Sequence, residues 1–429
     1  MNKARIKFAR LLGFDIPQLS AQIERAKVEA ARLQDRFITL ENEIARLSAP
    51  QVTSPVASES SAKISAAKRL RDLLITLLDR YDLTNGISCD AYCDTPQWHA
   101  MAEAQYLEAV VIAHGSGLLS DAQARKRVGA GIARLQAGAL QRQPGVFAQW
   151  GLGFRWQELP ADEPFLVTTA LVTRALMAAN GLAECADLAR EGLQGLARLP
   201  QRNVVIEGKN VPLPVYSPNL PEVVDNALAV WAQVVLGSRN LFEPSVEAMH
   251  HATLALKWLE SRFLPGLGWA YSTRRPIIDL IHQVYIIEAL HVDATACDLE
   301  LRAIETFAAF RAGEQFIDSM AISSFSAALE AAERSGGHYA MFRGDQVLTA
   351  SIKPARLWSM GAMLGSFGIF AREGRRRGYW LSQIRRFPLQ MLPDRFGADF
   401  RQEMHLARGL ALAVAALRES KAPDTQKPE

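Results

Sequence analysis

Beyond about residue 65 the chain repeats one pattern, apolar residues at i, i+3, i+4 and i+7 with polar residues between them. The segments AKRLRDLLITLLDRY, DAQARKRVGAGIARLQAGAL and VEAMHHATLALKWLESRF each gather apolar side chains on one face of a 3.6-residue turn, which predicts amphipathic helices. Period-two alternation is scarce. NVVIEGKNVPLPV and HYAMFRGDQVLTASI alternate around turn signals and predict two small hairpins set between helices.

Five helices share a start signal. TPQWHAMAEAQYLEAV, EPFLVTTALVTRAL, LPEVVDNALAVWAQVV, RPIIDLIHQVYIIEAL and KPARLWSMGAMLGSF open on Pro96, Pro164, Pro221, Pro276 and Pro354. Proline at the first helical position sacrifices no helix hydrogen bond and has a suitable φ. Small and apolar residues fill the turns that follow, so these helices are expected to be buried on more than one face. Intervening segments such as ECADLAREGLQGLARL keep a charged face and belong outside. Buried and half-exposed helices alternating five or six times predict an all-α fold, a closed α/α toroid of helical hairpins. An open solenoid would put these apolar inner helices on a wet concave surface.

Ahead of this body, Leu19, Ile23, Ala26, Ala30, Leu33, Phe37, Leu40, Ile44 and Leu47 step by four and three without a slip. That spacing predicts a coiled-coil helix, with Arg36 and Glu41 at flanking sites able to pair between strands. Its partner is either a second copy or another protein, with a helix lying on the chain's own body as the alternative. SAPQVTSPVASESSAKIS has no period and reads as a flexible linker. The expected organisation is an arm over 1–48, a linker over 49–64, a toroid over 65–417 and a disordered tail over 418–429. Lys3, Arg5, Lys7 and Arg10 interleave with Ile6, Phe8, Leu11 and Leu12, either a frayed helix start or a peripheral contact with an anionic inner membrane.

Composition adds limits. Apolar residues make up 49% and charged residues 22%, which is globular. A net charge of +3 does not point to nucleic acid. The six arginines of REGRRRGYWLSQIRR suit a phosphate-bearing partner or a solvated helix end. No apolar run reaches membrane-spanning length, and no secretory signal opens the chain. Cys89, Cys93, Cys185 and Cys297 make no disulfide framework, and Cys89 and Cys93 lack a second pair for a zinc site. A cytoplasmic protein without cofactor or metal is the expectation.

In a toroid the inner helix starts surround one end of a central cavity, and candidate chemistry gathers there. Trp156, Tyr216, Trp269, Tyr271 and Trp358 offer aromatic faces to the C–H faces of sugar rings. Glu222, Asp225, Asn226, Asp279, His282 and Arg356 fall in first turns, where the helix dipole alone also favours Glu222 and Asp279. Asp279 and His282, at i and i+3, share a helix face. A carboxylate there would stabilise the protonated imidazole and suit acid/base work near neutral pH. Tyr285, one turn further, reads as core. Arg274, Arg275 and Arg356 suit carboxylates or phosphates on an acidic polymer. Glycoside hydrolysis would need opposed carboxylates, with Asp225 and Asp279 or Glu222 and Asp279 as the pairs.

GWAYSTRRPIIDLIHQVYIIEAL and KPARLWSMGAMLGSF resemble segments of the α/α toroids of carbohydrate metabolism, among them polysaccharide lyases, uronyl epimerases and unsaturated-glucuronyl hydrolases. The shared features are an aromatic loop of the type GW-x-Y, then Asp and His opening an inner helix. The resemblance covers residues 90–415 in architecture and these short motifs in residue type. It implies a bacterial surface-polysaccharide protein that binds a sugar chain, with Asp279, His282 and Asp225 as catalytic candidates. The alternative is a non-catalytic assembly protein whose coiled coil partners a polysaccharide-modifying enzyme.

Overall fold

The computed structural model describes residues 56–420, apart from 90–94, 157, 240, 265, 273–276, 293–297, 313–314, 325–337, 344–345, 352–354, 390–391, 393–395 and 397–398. The heptad arm, the basic N-terminus, Arg274, Arg275 and the tail from 421 lie outside these residues. Residues 56–64 of the expected linker are helical, because α1 spans Val56–Leu83. After Pro55 neither proline nor glycine interrupts the segment, and its Ala, Ser and Glu residues tolerate a helix. At the other end Arg418 and Glu419 still belong to the last helix.

Twelve helices are found among the described residues, in two layers. The inner layer is α2 (Ala100–Gly115), α4 (Leu166–Ala179), α6 (Asp225–Ser238), α8 (Leu280–His291), α10 (Leu357–Glu373) and α12 (Phe400–Glu419). Each packs against the next, and α12 closes back onto α2. The ring is therefore shut. Outside it run α3 (Asp121–Ala137), α5 (Ala186–Ala197), α7 (Val246–Ser261), α9 (Leu299–Ala309) and α11 (Arg377–Arg385), each beside the inner helix that precedes it. Tyr81 of α1 stacks on Tyr106 of α2 at 4.5 Å and meets Phe400 of α12 at 5.0 Å. The tightest joint lies between α10 and α12. A Cβ on Gly409 would stand 1.9 Å from the Gly361 carbonyl oxygen, so backbone touches backbone there.

Pro276 and Pro354 lie outside the described residues, and the other three prolines do not occupy first helical positions. Pro96, Pro164 and Pro221 precede cap residues His99, Phe165 and Val224, all in extended backbone. The reason is a stitch that runs around the ring. The first N–H of α4, on Leu166, donates to the Tyr216 carbonyl in the segment leading into α6. Asp225 of α6 donates to the Tyr271 carbonyl, and Leu280 of α8 to the Asp318 carbonyl. Phe400 of α12 completes the pattern by donating to Ser88 Oγ ahead of α2. Helix-start donors lack intrahelical partners, and here the neighbouring hairpin supplies them. Proline at those positions would delete the donor.

Both predicted hairpins are present. Strands β1 (Gln201–Ile206) and β2 (Lys209–Pro214) join through Glu207 and Gly208, both at positive φ. Strands β5 (His338–Arg343) and β6 (Gln346–Ser351) extend into a four-stranded antiparallel sheet with β4 (Ser319–Ser324) and β3 (Ile277–Asp279). β3 runs straight into α8, which places Asp279 at a strand-to-helix junction.

The ring's axis is not wholly apolar. Arg174 of α4 pairs with Glu108 of α2 at 2.6 Å and donates to Gln233 of α6 at 2.8 Å. Arg408 of α12 bridges Glu108 and, at 2.8 Å, Glu288 of α8. Five of the six inner helices thus meet in one buried network. Burial alone would raise the Glu108 carboxyl, but the two guanidiniums outweigh it and hold it below its ordinary value.

Candidate functional site

A cavity of about 230 Å³ opens among the inner helix starts. It has room for about seven waters, the scale of one sugar ring with its hydroxyls. Its wall includes Trp156, Tyr216, Asn226, Tyr271, Asp279, His282, Arg356 and Trp358, all expected from the sequence. Met101, Tyr285 and Arg401 join them.

The GWAY loop shows how the sequence aims these groups. Gly268 has φ +101°, and a Cβ there would sit 2.1 Å from Gln283 Oε1. That close approach lets Gln283 of α8 accept from the Trp269 N–H at 2.6 Å and donate to the Trp269 carbonyl at 2.8 Å. The Trp269 indole is fully buried, donates to the Leu259 carbonyl at 2.6 Å and packs on Phe263. Trp269 is therefore an anchor outside the cavity. Two residues on, Tyr271 reaches the wall and meets the His282 ring edge-on at 4.7 Å. The same device recurs at Trp150, whose indole donates to the Leu135 carbonyl while Thr169 Oγ1 grips its backbone. Leu152, two residues later, lines the cavity.

Asp279 caps α8, accepting from the Ile281 N–H at 3.1 Å, and its Oδ2 accepts from Arg356 Nη2 at 3.1 Å. Arg356 also contacts Asp318 Oδ2 at 2.7 Å. Asp318 holds its position by accepting from the Arg356 N–H and from Ser359 Oγ. One guanidinium thus serves two carboxylates. Burial raises the Asp279 carboxyl; His282 and Arg356 oppose the rise and the Asp318 charge adds to it. His282 Nδ1 lies 3.7 Å from Asp279 Oδ1, beyond hydrogen-bond reach. Burial pulls the imidazole below its ordinary value, Arg356 adds to this, and Asp279 only partly compensates. These surroundings favour the neutral ring over the imidazolium expected from the spacing.

Arg356 and Arg401 lie over the same Trp358 indole, at 4.4 and 4.7 Å. Trp156, Phe165 and Tyr216 form an edge-to-face cluster on the other side. Behind them, His405 Nδ1–H donates to the Arg401 carbonyl at 2.6 Å, which leaves Nε2 to accept from Tyr285 OH at 2.5 Å. Tyr285 is buried, as expected, and it also forms part of the wall. Among the described residues, His282 Nδ1, Asn226 Oδ1 and Trp358 Nε1 are buried without a hydrogen-bond partner.

Besides Trp269, two expected residues stand elsewhere. Asp225 is fully buried against Arg262 at 2.7 Å, and burial pushes its carboxyl up to about 7 despite that cation. Glu222 is buried and accepts from Ser272 Oγ. Neither lines the cavity, so neither expected pair of carboxylates faces it. Asp318 and Arg401 went unseen in the sequence. Asp318 lies between short strands with no helical period, and Arg401 opens the one inner helix that no proline announces. Among the described residues no group of three His, Cys, Asp or Glu side chains is placed to hold a metal.

No family model matches the chain, and no curated protein matches it in sequence. Solved structures do match in shape. The endo-β-1,4-glucanase CMCax of Acetobacter xylinum aligns at 9% identity over 82% of this chain and 99% of its own, with a TM-score of 0.50. An inactive variant of a Salegentibacter α-1,6-mannanase in complex with α-1,6-mannotriose gives 11%, 81%, 99% and 0.48. The cellobiose 2-epimerase of Bacillus thermoamylovorans gives 10%, 70%, 78% and 0.47. The closed double layer of helices and the likeness to the endoglucanase show an α/α-toroid fold. At such identities the likeness speaks to architecture and leaves the reaction to the site.

Proposed function

We propose that this α/α toroid binds one residue of an acidic glycan in its mouth cavity and acts on it by acid/base chemistry, in the synthesis or processing of a surface polysaccharide. The observation that carries the reading is the wall itself: aromatic faces, two guanidiniums and three unpartnered buried polar atoms around a space of sugar-ring size. Arg356 and Arg401 would hold a carboxylate substituent. His282, neutral at pH 7, would accept a proton from the carbon next to that carboxylate, and the electron pair would pass to the carboxylate between the guanidiniums. Lyase-type and epimerase-type reactions share this step. Hydrolysis fits less well, because Asp279 is the one carboxylate among the described residues of the wall and it already caps α8 and pairs with Arg356.

The test is turnover of uronic-acid oligosaccharides by the full chain, followed by mass spectrometry and proton exchange. His282→Ala should abolish turnover and leave binding within a few-fold of wild type, while Arg356→Gln should weaken binding about tenfold or more. Binding without turnover in the wild type would remove the catalytic half. It would favour a glycan-recognising assembly protein, with residues 1–48 supplying the association.

A further inference from the structure

Away from the mouth, α11 and the turns on either side of it carry Arg375, Arg376, Arg377, Arg385 and Arg386, and all but Arg376 are exposed. Exposed Arg311 belongs to the same face, since its charge and that of Arg376 both act on Tyr379. Several exposed arginines elsewhere are matched singly, Arg71 with Asp72, Arg125 with Asp121, Arg190 with Asp187 and Arg372 with Glu419. The five on α11 and its turns make no ion pair among the described residues. The Glu300 carboxylate beside them accepts from the backbone N–H groups of Arg375 and Arg376 and from the Trp380 indole. A single-sign cluster repels itself, so it suits a partner that brings the opposite charge.

The face also restricts that partner. Trp380 is fully buried and stacked on Phe370 at 4.9 Å, and Leu381 and Ile384 are buried. Tyr379 is half-buried and edge-on to Trp380, so the face offers guanidiniums without a fully exposed aromatic platform for unstacked bases, and its described apolar side chains are turned inward rather than toward a bilayer. As part of the outer layer, it meets a flat surface more readily than it wraps a strand. We propose that the arginine face of α11 adsorbs the protein to an anionic phospholipid surface through guanidinium–phosphate contacts. Such attachment is peripheral, reversible and screened by salt.

Sedimentation of the full chain with phosphatidylglycerol/phosphatidylcholine vesicles, against phosphatidylcholine alone, tests this. Wild type should bind the anionic vesicles at low salt and leave them at high salt. Replacing Arg375, Arg377, Arg385 and Arg386 with Gln should lower the partition coefficient by about 600-fold if all four reach the surface and by about thirtyfold if two do, since each exposed arginine is worth about fivefold. Unchanged far-ultraviolet dichroism and thermal midpoint would show that the variant folds. The single variant Arg386→Glu should give a smaller loss of the same sign. Failure of wild type to bind, or equal binding by the fourfold variant, overturns the proposal, the latter because the basic N-terminus would then suffice. A larger effect of the four changes on retention by duplex DNA than on vesicles would assign the face to nucleic acid and overturn it too.

Discussion

Gln283 holds the GWAY loop against α8 by using both ends of its amide, and Gly268 is the residue that lets it come so close. Gly268→Ala would combine a strained φ with a clash against that amide, and should cost about 2–4 kcal/mol in urea unfolding. Asp318 is coupled to the same corner through Arg356. Asp318→Asn can keep an oxygen for the Arg356 N–H but loses the charge that raises both Asp279 and His282. Both groups should then release protons at lower pH, measurable by NMR titration of the carboxyl and the imidazole. The Asp279–His282 adjacency was legible from an i, i+3 spacing. The proton state was not, because it depends on burial and on Arg356, which lies 77 residues from Asp279.

At the scale of elements, the hydrophobic period located most helices, and proline located five inner starts to within a few residues. The offset has a cause, since the first N–H groups of α4, α6 and α8 are spent on the neighbouring hairpin. Leu280→Pro is therefore informative. A first helical position ordinarily accepts proline, yet here it should cost about 1–3 kcal/mol in thermal or urea unfolding by leaving the Asp318 carbonyl without its donor. The sixth inner helix, α12, begins at Phe400 after Asp399, a polar cap without proline, and so escaped the repeat. Arg401 was lost with it.

Across the whole molecule, the inner layer looked apolar because a buried ion pair is invisible until its partners meet. Glu108 and Arg408 lie 300 residues apart, and Glu288 and Arg408 lie 120 apart. Removing one partner, as in Arg408→Met, should destabilise the ring by about 3–5 kcal/mol through the uncompensated carboxylates. Acid should loosen it as well. Burial lowers the His405 imidazole to about 3, and that of His99 also falls. A histidine depressed in the folded state contributes stability that is complete above its unfolded value near 6.5 and is lost as pH falls toward 3. Urea unfolding across that window should show a loss of about 1.4 kcal/mol per pH unit for each such group. His405→Asn should flatten the slope.

The central claim is that the mouth cavity holds a sugar residue between aromatic faces and the Arg356–Trp358–Arg401 stack. Calorimetric titration of the full chain with matched neutral and uronic-acid oligosaccharides tests it most directly. Saturable binding that favours the uronic-acid series is expected, weakened about tenfold or more by Trp358→Ala and by Arg356→Gln in folded protein. Absence of binding across both series, or binding that neither substitution weakens, would contradict it.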